Sequence, residues 1–131
     1  MIEGLDRIGA RAPVSLTRDG AFQLGGVRRA APLLVSRHDV FAWTAPRSLS
    51  EEDILRFVRN LAAGQADFLL LGTGRSLKFP SPGFRAEIER LNLGLDVMDT
   101  AAACDTYNVL IAEARIFAAA LLPLANGPAA F

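Results

Sequence analysis

Apolar positions fall along this chain in three textures. From Pro13 to Trp43 they form short runs (Val14–Leu16, Ala21–Leu24, Leu33–Val35, Val40–Trp43). Arg18-Asp19-Gly20, Gly25-Gly26 and Arg37-His38-Asp39 separate these runs. Turn residues at that spacing predict a meander of antiparallel strands, and Asp19-Gly20 is the strongest turn signal because it tolerates positive φ. A helical period follows. Ser50 suits an N-cap with Asp53 at the capping-box position, Leu49 is placed to staple onto Ile54, and Ile54, Leu55, Val58, Leu61 and Ala62 form the buried stripe. Gly64 is the expected C-terminal cap. The third texture is the fully apolar run, at Phe68–Leu71 and again at Ile116–Leu122. Such runs predict strands covered on both faces, as in parallel sheets between helices.

Residues 95–123 carry the clearest unit. Leu95-Asp96-Val97-Met98 reads as a strand, Asp99 caps a helix that starts at Thr100, and Ile116–Leu122 is the next strand, closed by Pro123. On a helical wheel Ala103, Cys104, Tyr107, Leu110, Ile111 and Ala114 share one face, while Asp105, Thr106, Val109 and Glu113 share the other. A shorter helix starts at Ser81-Pro82 with Phe84, Ile88 and Leu91 on its inner side, and Gly94 is expected to close it.

The order is therefore a β-meander followed by α-β-α-β-α-β. That predicts an α/β fold with a central mixed, largely parallel sheet, flanking helices, and an N-terminal antiparallel meander forming an accessory sheet. Residues 1–12 are expected as a loose lead-in, 13–123 as a single α/β domain and 124–131 as a C-terminal tail, whose apolar residues suit burial against a partner or a second copy.

Composition narrows the function classes. The formal net charge is zero and 51% of the 131 residues are hydrophobic, so a disordered polyelectrolyte is excluded. There is no basic stripe with interleaved aromatics, which argues against nucleic acid. One cysteine and one histidine make neither an internal disulfide nor a metal set. The uncharged stretch from Ile116 to Phe131 is shorter than the ~20 residues a span needs and is broken by prolines. The first residues lack the features of a signal peptide. A soluble, cytoplasmic protein without a cofactor is expected, with a peripheral place at the inner membrane as the other option.

Candidate chemistry gathers where parallel strands end and helices begin. That rim collects Gly72, Thr73, Gly74, Arg75 and Lys78 from one loop and Asp99 and Thr100 from the next. Free N–H groups beside cations can hold an anion or a small polar ligand. The competing reading is a tight glycine turn with solvated cations, and the loop matches neither GxxxxGK[ST] nor GxGxxG. Cys104 lies near a helix N-terminus, which can lower a thiol pKa, yet its wheel position predicts a buried structural thiol. His38 reads as a surface turn residue and Trp43 as core. Asp96 and Asp99 are spaced so that both could approach the rim as a carboxylate pair, but capping by Asp99 and a surface charge at Asp96 are the favoured reading. Tyr107 and Asn108 are expected in a satisfied internal network.

Two strings carry a resemblance. Asp96-Val97-Met98-Asp99-Thr100, with Ala103-Cys104, Thr106-Tyr107-Asn108-Val109-Leu110, Ala112-Glu113 and Ala118–Pro123, is one; Leu70-Leu71-Gly72-Thr73-Gly74 with Phe79-Pro80 is the other. Together they resemble a small domain family of unknown function that includes mitochondrial complex I assembly factor three and many short bacterial and archaeal proteins. The resemblance runs from about Val14 to Pro123 and implies an α/β fold with an accessory sheet. It implies no catalytic residues and no cofactor. This chain has Asp105 where the family usually has arginine, and Ala114 where it usually has glycine, so the helix-to-strand junction at Ala114 is expected not to need positive φ. The resulting expectation is a non-catalytic protein-binding or assembly-type protein that binds other proteins, with membrane-complex subunits and a second copy of the chain as the candidate partners. The alternative is a small anionic-ligand binder, or an enzyme of unrecognised type, that uses the rim.

Overall fold

The computed structural model describes residues 2–124. The elements are β1 (Leu5–Ala10), β2 (Val14–Leu16), β3 (Phe22–Leu24), β4 (Val27–Arg29), β5 (Leu33–Val35), β6 (Asp39–Trp43), α1 (Glu51–Arg59), β7 (Phe68–Gly72), α2 (Pro82–Arg90), β8 (Gly94–Met98), α3 (Thr100–Ala112) and β9 (Ala118–Leu121). They form a six-stranded mixed sheet ordered β1-β6-β5-β9-β7-β8 and a three-stranded antiparallel sheet ordered β2-β3-β4. The α/β class and the accessory sheet are as expected. The meander divides, however: β5 and β6 join the main sheet, with β5 antiparallel to β9, so parallel pairing is confined to β8-β7-β9.

The unbroken apolar runs are explained by a core on each face of the main sheet. Leu69 and Leu71 of β7 and Ala118 and Ala120 of β9 face α1 and α2, meeting Ile54, Phe57, Val58, Phe84 and Ile88. Leu70, Ala119 and Leu121 face the other way, toward Tyr107, Cys104 and Leu110 of α3 and Val14 and Phe22 of the accessory sheet. Each buried leucine or phenylalanine contributes about 1.5–3 kcal/mol over an exposed one.

Residues 1–12 are expected as a loose or weakly paired lead-in, and the structure pairs part of them. Leu5–Ala10 is a strand paired antiparallel with β6, with a register shift between Arg7 and Gly9. Its alternation is weak because only Leu5 is buried, so the pairing comes from β6 rather than from the pattern of β1. The bulge and the exposed Asp6 and Arg7 also blunt this sheet edge against further strand addition. The tail beyond Leu124 lies outside the described residues.

Three helix ends also differ from expectation. α1 stops at Arg59 with Asn60 as its cap, and Gly64 instead takes φ +82° in the following loop. α2 is closed by Asn92 at φ 62°, not by Gly94, which begins β8. At the end of α3, Ala114 sits at φ 55° despite its Cβ. There the Ala114 N–H donates to the Ile111 carbonyl (3.0 Å) and the Arg115 N–H to the Leu110 carbonyl (2.9 Å). This double bond pattern requires a left-handed residue at that place, so the expectation that the junction avoids positive φ is overturned.

Candidate functional site at the strand-end rim

The carboxyl ends of β7 and β8 meet the start of α3, and the rim residues come together as topology predicts. Their polar groups are engaged with one another. Thr100, fully buried, donates its hydroxyl to the Leu122 carbonyl (2.7 Å) and accepts from the Gly74 N–H (2.8 Å). Thr73, 2% exposed, donates to the Ser76 carbonyl (2.7 Å) and accepts from the Lys78 N–H (3.1 Å). The Thr73 N–H donates to Met98 (2.9 Å) and the Thr100 N–H to Gly74 (3.0 Å). Asp99 caps α3 by accepting from the Ala102 N–H (2.9 Å).

The two glycines have different causes. A Cβ on Gly72 would lie 3.0 Å from Leu121 Cδ2, 3.0 Å from Thr100 Oγ1 and 3.1 Å from Ala103 Cβ, so its bareness lets α3 approach the sheet. Gly74 has open space around it and is required by its φ of +94°. The loop is held at its far end too, where Glu51 accepts from the Ser81 N–H (2.8 Å) and hydroxyl (2.7 Å).

Between those two anchors the loop presents apolar side chains to solvent. Phe79 is 73% exposed and Leu77 49%, with the exposed Arg75 and Lys78 beside them. The glycines and cations of this loop, not this apolar pair, were the candidates visible from sequence. Two large hydrophobes in a proline-ended loop, with no period to bury them, were the available signal.

The remaining candidates separate from the rim. Cys104 is buried, and burial, reinforced by Asp105, pushes its thiol up to about 11, against nucleophilic chemistry. His38 is exposed, and its carbonyl accepts from the Arg11 N–H. Asp96 is exposed on β8. Trp43 is buried and donates its indole N–H to the Arg47 carbonyl (2.8 Å). Tyr107 is buried and donates to the Ala12 carbonyl (2.9 Å), and burial raises its pKa. Asn108 exchanges two bonds with the Val14 backbone, accepting at 2.9 Å and donating at 2.8 Å, and so fastens the accessory sheet to α3.

The two-sheet architecture and the Gly-Thr-Gly rim define the class of this protein: the chain belongs to the family described as "Protein of unknown function (DUF498/DUF598)", which matches residues 14–122. Among its relatives, an uncharacterised protein of Rhodobacter capsulatus is 35% identical over 112 residues, covering 86% of this chain and 85% of that one. NADH dehydrogenase [ubiquinone] 1 alpha subcomplex assembly factor 3 of Xenopus tropicalis is 28% identical over 104 residues, covering 78% of this chain. The chain spans only 56% of that assembly factor's length. A solution structure from Bordetella pertussis, described as a Mth938-like domain, superposes with a TM-score of 0.69 at 25% identity, covering 88% of this chain and 87% of that one. The family therefore includes complex I assembly factors. Among the described residues no helix is long and apolar enough to cross a membrane.

Proposed function

We propose that this chain is a non-catalytic, assembly-type protein that binds other proteins through the loop between Gly74 and Ser81. The observation that carries this reading is Phe79, 73% exposed on a loop tied at one end to Thr73 and at the other to Glu51 by hydrogen bonds. A pre-organised loop loses little conformational freedom on binding, and an exposed aromatic is the usual anchor of a protein interface. Arg75 and Lys78 give the same surface a positive rim, suited to a partner with acidic residues around an apolar pocket. The kinship with complex I assembly factors supports membrane respiratory-complex subunits as the partners, met at the membrane surface.

The rival reading, an anion held by the rim, has fewer donors to draw on. The N–H groups of Thr73, Gly74, Lys78 and Thr100 already donate within the chain. The test is co-purification of the natively expressed protein after mild cross-linking, with Leu77→Ala/Phe79→Ala as the variant. Loss of an aromatic anchor should weaken association by about 2 kcal/mol, roughly 30-fold, with thermal stability unchanged because both side chains face solvent. Retention of every partner by that variant refutes the reading.

A further inference from the structure

The opposite end of the sheet holds a second site, independent of the rim. A cavity of about 540 Å³ lies between the β1–β6 edge and the carboxyl end of α1. The register places it at the N-terminal ends of the parallel strands. Ser36 follows Val35, which pairs with Ala119 near the start of β9, and residues 60–65 lead into β7. Its body is apolar, formed by Ile2, Leu5, Phe41, Phe57, Leu61 and Ala62. Phe41 and Phe57 meet edge to face at 5.7 Å and 70°. The volume falls within the range typical of small-molecule sites, about 300–1,000 Å³.

One charged pair lines this apolar space on its solvent side. Arg7 Nε donates to Asp39 Oδ1 at 2.8 Å, and the two side chains are 57% and 36% exposed. This contact engages one nitrogen of Arg7 and one oxygen of Asp39. Among the described residues the other guanidinium nitrogens have no acceptor and can donate to a carboxylate, and Oδ2 has no donor and can accept from an ammonium group. A ligand of a single charge would be attracted by one member of the pair and repelled by the other. A zwitterionic head matches both, with its apolar side chain directed toward Phe41 and Phe57.

We propose that this cavity binds a small zwitterionic ligand with an apolar side chain, of the class of aromatic or branched aliphatic α-amino acids. The probes are L-phenylalanine, L-phenylalaninamide, which lacks the carboxylate, and 3-phenylpropanoate, which lacks the ammonium. Binding is read by chemical shifts of methyl-labelled Ile2, Leu5 and Leu61 in the full chain. L-phenylalanine should saturate these shifts and bind at least about tenfold more tightly than either analogue, the value of one charge-assisted pair. Arg7→Gln should level L-phenylalanine with L-phenylalaninamide, and Asp39→Asn should level it with 3-phenylpropanoate. Ala62→Trp, at an exposed position on the cavity wall, should abolish binding while the protein stays folded. No shift change at 10-fold excess over about 1 mM protein, equal affinity for all three probes, or binding undiminished in Ala62→Trp overturns the proposal.

Discussion

Replacing Thr100 by valine tests whether the rim is held from inside. Valine keeps nearly the same shape but deletes the hydroxyl that accepts from the Gly74 N–H and donates to the Leu122 carbonyl. Thr100 has no exposed surface, so water cannot readily replace it. Each buried backbone group left without a partner costs about 1–3 kcal/mol, which gives roughly 4 kcal/mol for two. The added methyl returns about 1 kcal/mol, leaving an expected loss of about 3 kcal/mol. For a domain of this size that is a fall in Tm of roughly 12 °C. Urea unfolding gives the free energy, and amide exchange at Gly74 reports the lost bond directly. Thr100→Ser, which keeps the hydroxyl, should recover most of the loss. A Thr100→Val protein within 0.5 kcal/mol of the parent, with unchanged Gly74 exchange, would show that these bonds do not hold the loop.

Two further outcomes follow from side chains away from the rim. Asp53 is 3% exposed, accepts both Nη groups of Arg47 (2.7 and 2.9 Å) and the Ser50 N–H, and these contacts lower its pKa from 3.8 to about 2. At about 1.4 kcal/mol per pH unit, Asp53→Asn should cost roughly 2 kcal/mol at pH 7. Because the folded pKa lies below the unfolded one, this difference is complete above about pH 4 and disappears as pH falls toward 2; a urea series over that range checks it, and a pH-independent difference refutes it. Ala114→Gly should stabilise the protein by about 1 kcal/mol by relieving a left-handed alanine, seen as a higher urea midpoint with unchanged slope; a lower midpoint refutes it.

The legible parts of the fold were those set by local chemistry. The Ser50–Asp53 capping box, the Asp99 cap and the two unbroken apolar strands announce themselves within a few residues, and the structure bears out each. β1 and β4 were not legible, because Leu-Asp-Arg-Ile-Gly-Ala and Val-Arg-Arg carry little alternation and owe their strands to a neighbour. The division of the meander depends on β5 pairing with β9, some 85 residues further along, which no local pattern encodes. Ala114 misled for a related reason: the helix-end bonds fix the backbone there, and the cost of the Cβ is small enough to be carried. At the rim, topology foretold that Gly72, Thr73, Gly74, Asp99 and Thr100 would meet. What they do on meeting depended on hydroxyl directions that sequence does not contain.

That last point changes what the family-like motif signifies. Gly72 admits α3, Gly74 makes a turn, Asp99 caps, and Thr73 and Thr100 tie loop, sheet and helix together. Each position has a structural cause that needs no ligand. Such a motif is accounted for by architecture and does not by itself imply a reaction. The loop displays Phe79, 73% exposed, and Leu77, 49% exposed, beside the exposed Lys78. A loop built to collapse would have buried Phe79; this one is tied at Thr73 and Ser81 so that it stays outside. Keeping an aromatic side chain in water forgoes about 2 kcal/mol of burial, and a binding surface is the physical reading that makes use of it.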